Sequence, residues 1–175
     1  DQSDEVILNH FLKANIPDRI QKDLLAFIRI VENPVAVRSS SLLEDSHYQP
    51  FAGIYSTYMV PCVNMTQEEK IQGMSNAIKA VYASVFYQAS KAYMNATSHV
   101  IDEEKMAIIV QEAVGSKYGD IFYPNISGVG RSINFYPIEP ELAEEGIVNL
   151  ALGFGKYIVD GGINLRYSPH HPQKI

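Results

Sequence analysis

Val35-Ala36-Val37-Arg38-Ser39-Ser40-Ser41 sets a short apolar run against an arginine and three hydroxyls, and the reading of the whole chain turns on that junction. Asn33-Pro34 just before it closes a helical segment, because the residue ahead of a proline avoids helical geometry. Val35-Ala36-Val37 therefore reads as a short buried strand, and the polar stretch from Arg38 to Pro50 reads as a Ser-rich turn outside the core. An arginine leaving an apolar strand into such a turn suits an anion, since its planar fork makes paired, charge-assisted hydrogen bonds to phosphate oxygens. The Ser hydroxyls and free amides would add neutral donors. The same residues equally describe an ordinary strand and loop in which Arg38 pairs with Glu44 or Asp45. Further on, Phe51-Ala52-Gly53 supplies a glycine where backbone can approach a ligand without an obstructing Cβ.

Working outward, Pro17 suits the first turn of a helix running to about Glu32, with Ile20, Leu24, Leu25, Ile28 and Val31 on one face. Ile54 to Val60 alternates as a strand does. Thr66-Gln67-Glu68-Glu69 is a capping box, in which hydroxyl and carboxylate satisfy each other's free backbone amides. It opens a stripe of Ile71, Met74, Ile78, Val81, Tyr82, Val85, Phe86, Ala89 and Tyr93 at helical steps, reaching about Asn95 with room for a break. Met106 to Val114 is a β-branched run of buried-strand length, and further strands are expected near Asp120–Tyr123, Ser132–Tyr136 and Ile147–Leu152. Helices and strands together make the fold α+β or α/β.

The 175 residues suit one domain or slightly more, and the excess of 20 acidic over 14 basic side chains argues against nucleic-acid and anionic-membrane partners. A nucleotide needs only one or two well-placed cations. The single Cys62 has no disulfide partner and no neighbours at metal-ligand spacing, and no metal site is assigned. No apolar run nears the roughly 18 residues that span a bilayer. The first residues carry no signal-peptide pattern, the chain starts at Asp1 and stops in Pro169-His170-His171-Pro172, and the expectation is a cytoplasmic protein from which this stretch is excised.

Taken in order, the motifs resemble the ATP-binding domain of the pyruvate phosphate dikinase and phosphoenolpyruvate synthase family. The resemblance rests on Val37-Arg38-Ser39-Ser40, Glu44-Asp45, Phe51-Ala52-Gly53 with Thr57-Tyr58, Ala83-Ser84-Val85-Phe86, Ile108-Ile109-Val110-Gln111, Ser127-Gly128-Val129 and Leu152-Gly153-Phe154-Gly155 with Gly161-Gly162. It implies a partial ATP-grasp-like fold within the α+β class, with residues 1–32 as incoming linker and helix, 33–165 as the nucleotide-binding fragment and 166–175 as a tail. It implies that Arg38 holds ATP phosphates as the catalytic cation, that Gly53 and Thr57 lie against the nucleotide, and that Gln111 reaches the adenine end. The parent enzyme would pass phosphate from ATP to a histidine on a swivelling domain and then to pyruvate, with Mg²⁺ held by carboxylates outside this stretch. Its partners are ATP, pyruvate through the full-length enzyme, and the phosphohistidine and phosphoenolpyruvate-binding domains of the same parent.

Several positions depart from the family pattern. Ile54 follows Phe-Ala-Gly, Gly130-Arg131-Ser132-Ile133-Asn134-Phe135-Tyr136 replaces a Met-Phe-Thr-like strand, and Phe154 and Lys156 flank Gly155 where an acid is common. The acceptor therefore stays open: a glucan or antibiotic dikinase keeps the fold, and a nucleotide sensor without catalysis is a reading from another class. Arg131 and Lys156 are cations near that region, more in keeping with solvated surface than with phosphate contacts. None of the five histidines sits in a Gly- and Thr-rich phosphohistidine motif; His99 reads as a structural or surface residue and His170-His171 as exposed. Asp102-Glu103-Glu104 reads as a solvated turn.

Overall fold

The computed structural model describes residues 2–42, 44, 53–97, 104–155, 158 and 162–173. Asp45, Phe51-Ala52, His99, Asp102-Glu103, Lys156 and Gly161 lie outside the described residues. The chain divides into two compact units, residues 1–113 and 114–175.

In the first unit, α1 (Asp4–Lys13) starts where the Ser3 hydroxyl accepts the Val6 amide, with Asp4 and Glu5 at its positive end and His10 and Lys13 at its negative end. The sequence reading missed this helix because Ile7 is the one residue it buries, too little for a visible stripe. In α2 (Asp18–Ile28), Pro17 stands at the N-cap, one place before the expected first turn. The helix stops short of Glu32 because Glu112 Oε1 accepts the amides of Glu32 (3.3 Å) and Asn33 (3.0 Å), offering them a partner other than the helix.

Three antiparallel strands, β1 (Val35–Ser41), β2 (Tyr58–Val60) and β3 (Met106–Glu112), form a sheet in the order β2-β1-β3. The expected turn at Ser39-Ser40-Ser41 is corrected: all three serines continue β1, opposite Ile108, Ala107 and Met106. Seven rungs of ladder outweigh serine's weak strand preference. β2 keeps only the last three residues of the expected Ile54–Val60 strand, because Tyr55 and Ser56 are drawn to side chains off the sheet, Glu104 and Ser84. The capping box opens α3 (Gln67–Ser84), with Thr66 N donating to Glu69 Oε2 at 2.7 Å and Glu69 N to Thr66 Oγ1 at 3.2 Å. The break in the long stripe falls between Ser84 and α4 (Gln88–Ala96).

Successive side chains of a strand point to opposite faces. Val35 and Val37 are fully buried against Leu24 and Ile28 of α2 and Met74, Ala77 and Val81 of α3. Each of the larger side chains buried there contributes about 1.5–3 kcal/mol of transfer free energy. Ala36, Arg38 and Ser40 occupy the other face, away from the helices, and Arg38 is exposed.

The second unit holds a hairpin of β4 (Ser116–Tyr118) and β5 (Ile121–Tyr123), turned at Gly119 with φ +61°, where a side chain would be strained. It also holds an antiparallel sheet of β6 (Ile126–Arg131), β7 (Ile147–Leu152) and β8 (Leu165–Tyr167), in that order. The strand expected at Ser132–Tyr136 is a loop, and the preceding segment forms β6 instead. Gly128 and Gly130 obscure β6 in the sequence, yet they pair with Leu150 and Val148. The loop is held by Asn134, which is buried, bonds Glu141 through its side chain at 2.9 Å and donates its own amide to Ala143 O. β8 brings residues 165–167 into the sheet, overlapping the stretch assigned to a tail from 166. Helices beside antiparallel sheets make the fold α+β, and no helix among the described residues is long and apolar enough to cross a membrane.

Candidate functional site

Residues directly opposite one another in a sheet share a face. The register sets Gln111 of β3 and Met59 of β2 on either side of Ala36, and sets Ile109 opposite Arg38. Arg38 and Gln111 therefore stand on the same face, the one turned from α2 and α3, one pleat (about 7 Å) apart along the strands. Both are exposed, as is Met59 at 48%. Ala36 is thus flanked by the Met59 thioether residue on one strand and the Gln111 amide residue on the other. Thr57, exposed, immediately precedes Tyr58, whose partner on β1 is Val37 next to Arg38. Gly53 has φ +79°, and no described heavy atom lies within 4 Å of where its Cβ would be, so no described contact draws it to Arg38.

The alternative pairing of Arg38 with Glu44 is not what the structure contains. Glu44 accepts from Ser39 Oγ at 2.8 Å and from the Ser41 amide at 3.0 Å, and its own amide donates to Ser41 Oγ. Ser39 alternates to the opposite face from Arg38, and Glu44 follows it there. Among the described residues no carboxylate forms an ion pair with Arg38. A guanidinium left exposed and without a carboxylate keeps its donors for a ligand anion.

Behind this face lies a second polar group. Tyr55, buried, donates its hydroxyl to Glu104 Oε2, and Glu104 Oε1 is buried without a hydrogen-bond partner among the described residues. Glu104 is thus half-buried and engaged, which corrects the solvated turn expected there. Burial, the bond to Glu104 and the nearby charges of Glu104 and Glu44 hold the Tyr55 hydroxyl well above the ordinary tyrosine range, so it remains a neutral donor. Next to it, Ser84 has no exposed surface, accepts the Ser56 amide at 3.2 Å and donates to Val81 O at 2.7 Å. Residue reading left Ser84 without a role; the Ala83-Ser84-Val85-Phe86 motif was the one signal pointing to it.

Cys62 is buried and its thiol is pushed up by desolvation, so it is a poor nucleophile. An apolar cavity of about 600 Å³, lined by Ile16, Ile20, Ile78, Tyr82, Ile108 and Val110, opens on the helix side of the sheet, away from Arg38. In the second unit, His171 Nε2 lies 3.2 Å from Glu145 Oε2, so it is engaged while His170 stays largely exposed. Arg166 grips Glu141 with both terminal nitrogens and, helped by the Ile138 amide, holds its carboxyl down at about 2. No group of three or more His, Cys, Asp or Glu among the described residues has the arrangement of a metal site.

The profile of the pyruvate phosphate dikinase AMP/ATP-binding domain family matches residues 1–173. The chain belongs to that family. Among relatives of this dikinase-family chain, a phosphoenolpyruvate synthase of Aeropyrum pernix is 26% identical over 172 residues. A Bacillus subtilis protein described as the uncharacterized phosphotransferase YvkC is 28% identical over 165 residues. Each alignment takes in 93% of this chain and 18% of the relative, so the dikinase-family chain spans under a fifth of the length of the curated relatives it matches.

Proposed function

We propose that the chain is the ATP-binding portion of a longer ATP-dependent phosphotransferase of the dikinase type, with an ATP-grasp-like architecture, and that ATP lies along the face of β1 and β3 that carries Arg38 and Gln111. The observation that carries this reading is Arg38, exposed on that face without a carboxylate partner among the described residues, one pleat from Gln111. Arg38 grips the phosphates with its two-pronged fork. The Ser40 hydroxyl on the same face and the Thr57 hydroxyl beside it extend the row of donors. The adenine ring lies over Ala36, where the Gln111 amide both donates to and accepts from its edge, and Met59 sulfur lies against its plane. Gly53 offers backbone that a ligand can approach closely.

Fixing the triphosphate in this way supplies the positioning and charge stabilisation that phosphoryl transfer chiefly needs. Among the described residues no cluster could hold Mg²⁺; held by carboxylates elsewhere in the longer polypeptide, it would offset the charge that develops on the transferring phosphate. The phosphate then passes to a histidine on a separate domain and on to pyruvate, a sequence supported by the likeness to a phosphoenolpyruvate synthase. The roles assigned here concern the nucleotide alone, and a glucan or antibiotic acceptor in place of pyruvate would be chosen by the acceptor domain. An enzyme living on ATP belongs in the cytoplasm.

The test is calorimetric titration of the longer polypeptide with ATP and GTP. Gln111→Ala weakens ATP by about fivefold, one neutral hydrogen bond, and narrows the preference for ATP over GTP. Unchanged affinity for both nucleotides in Gln111→Ala and Arg38→Ala would remove the site from this face.

A further inference from the structure

The family motif Ala83-Ser84-Val85-Phe86 lies at the end of α3, off the sheet face that carries Arg38 and Gln111, and nothing in the nucleotide reading uses it. Its serine is nevertheless among the most constrained side chains in the first unit. Ser84 has no exposed surface, its hydroxyl donates to Val81 O at 2.7 Å, and its carbonyl accepts the Ser90 hydroxyl at 2.6 Å across the break between α3 and α4. Ser90 is itself fully buried. With its proton committed to Val81 O, the Ser84 hydroxyl uses one of its two lone pairs to accept the amide of Ser56 at 3.2 Å.

That last bond reaches out of the helix layer to the segment just before Thr57. On one side of Ser56, Tyr55 is buried and anchored to Glu104. On the other side of Thr57, Tyr58 is locked in register with Val37. Thr57 is the exposed residue between these anchors. The three-residue stretch before β2 is too short to form a ladder of its own, so its amides need partners from elsewhere. Ser84 supplies one of them. Without it, Ser56 N would lose its partner and the backbone carrying Thr57 would be held only through its flanks, at Tyr55 and Tyr58.

We propose that Ser84 is a positioning residue for nucleotide binding, acting through the Ser56 amide to hold the Thr57 hydroxyl in line with Arg38. This rests on the nucleotide reading above and extends it to a side chain that never touches ligand. It also gives the Ala-Ser-Val-Phe motif a physical purpose, because the helix ends in a buried hydroxyl with one lone pair turned toward the ligand-bearing segment.

The experiment is a double-mutant cycle in the longer polypeptide, with ATP affinity read by calorimetry and folding by thermal unfolding. Ser84→Ala is expected to weaken ATP by about fivefold, the loss of one hydrogen bond's worth of order. Ser84→Cys, nearly the same size but a feeble acceptor, weakens it similarly and guards against a variant that fails to fold. In a Thr57→Val background, both Ser84 substitutions should add nothing to the loss already present. Affinity unchanged in Ser84→Ala and Ser84→Cys, or a loss that simply adds to that of Thr57→Val, overturns the positioning role while leaving the nucleotide site intact. If Thr57→Val alone leaves ATP affinity at the wild-type value, Thr57 is no part of the site and the role of Ser84 falls with it.

Discussion

Replacing Arg38 by alanine is the sharpest perturbation the structure offers. The side chain is exposed, has no ion-pair partner among the described residues, and lies on the face of β1 opposite Val35 and Val37. Its removal therefore opens no cavity and strands no buried charge, and folding stability should stay within about 0.5 kcal/mol of wild type. Affinity is another matter. Hydrogen bonds to charged groups contribute about 1.5–3 kcal/mol; solvent access to the face moves the expectation to the lower part of that range, about 2 kcal/mol, or roughly thirtyfold in Kd. Arg38→Lys keeps the charge but loses the planar fork, so it recovers only part of the loss. Titration of the longer polypeptide with ATP, beside urea unfolding of each variant, separates the two quantities. Arg29→Ala, an exposed cation at the C-cap of α2, serves as the charge control and should leave Kd within about twofold. The reasoning fails if Arg38→Ala binds ATP as tightly as wild type while folding is intact, or if Arg29→Ala weakens binding as much.

Two further outcomes follow from the second unit. Glu141 is held at about 2, chiefly by Arg166 and then by the Ile138 amide, against 4.5 for a free glutamate. Its stabilising contribution is complete above pH 4.5 and lost as pH falls toward 2. Acid titration of unfolding should show a steep loss in that window for wild type, and Glu141→Gln should lack it. At Gly146, φ is +73° and an added Cβ would meet Arg131 O at 2.5 Å, so Gly146→Ala should lower the urea midpoint of this unit by the equivalent of more than about 1 kcal/mol. An unchanged midpoint would mean that the turn into β7 shifts freely.

What was legible in the chain was whatever concentrated its signal locally. Val35-Ala36-Val37 announced β1, the Thr66 to Glu69 box announced α3, and Ile147–Leu152 matched β7 to the residue. What escaped depended on partners far along the chain. Ser39 to Ser41 became strand because β3 lies opposite, and the helix did not reach Glu32 because Glu112, some eighty residues on, took the amides of Glu32 and Asn33. The glycines of β6 hid a strand, while the aromatic residues of Ser132–Tyr136 advertised one that does not form. For the candidate site, the chemistry of Arg38 and Gln111 could be read from residue type. That they share a face is a matter of pairing register, which no local pattern encodes. The role of Glu44 turned on the same alternation, which carries it to the far side of the sheet from the guanidinium.

β1 thus interleaves two kinds of residue in a single strand, with Val35 and Val37 in the hydrophobic interior and Ala36, Arg38 and Ser40 at the proposed ligand surface. Substitutions at either set can proceed separately. Deleting one residue upstream of Arg38 cannot be absorbed that way: a single-step slip would drive the guanidinium in among Met74 and Val81 and turn a valine toward the solvent. Binding competence and correct assembly of this sheet are accordingly inseparable under insertion or deletion, however loosely they are coupled under point substitution.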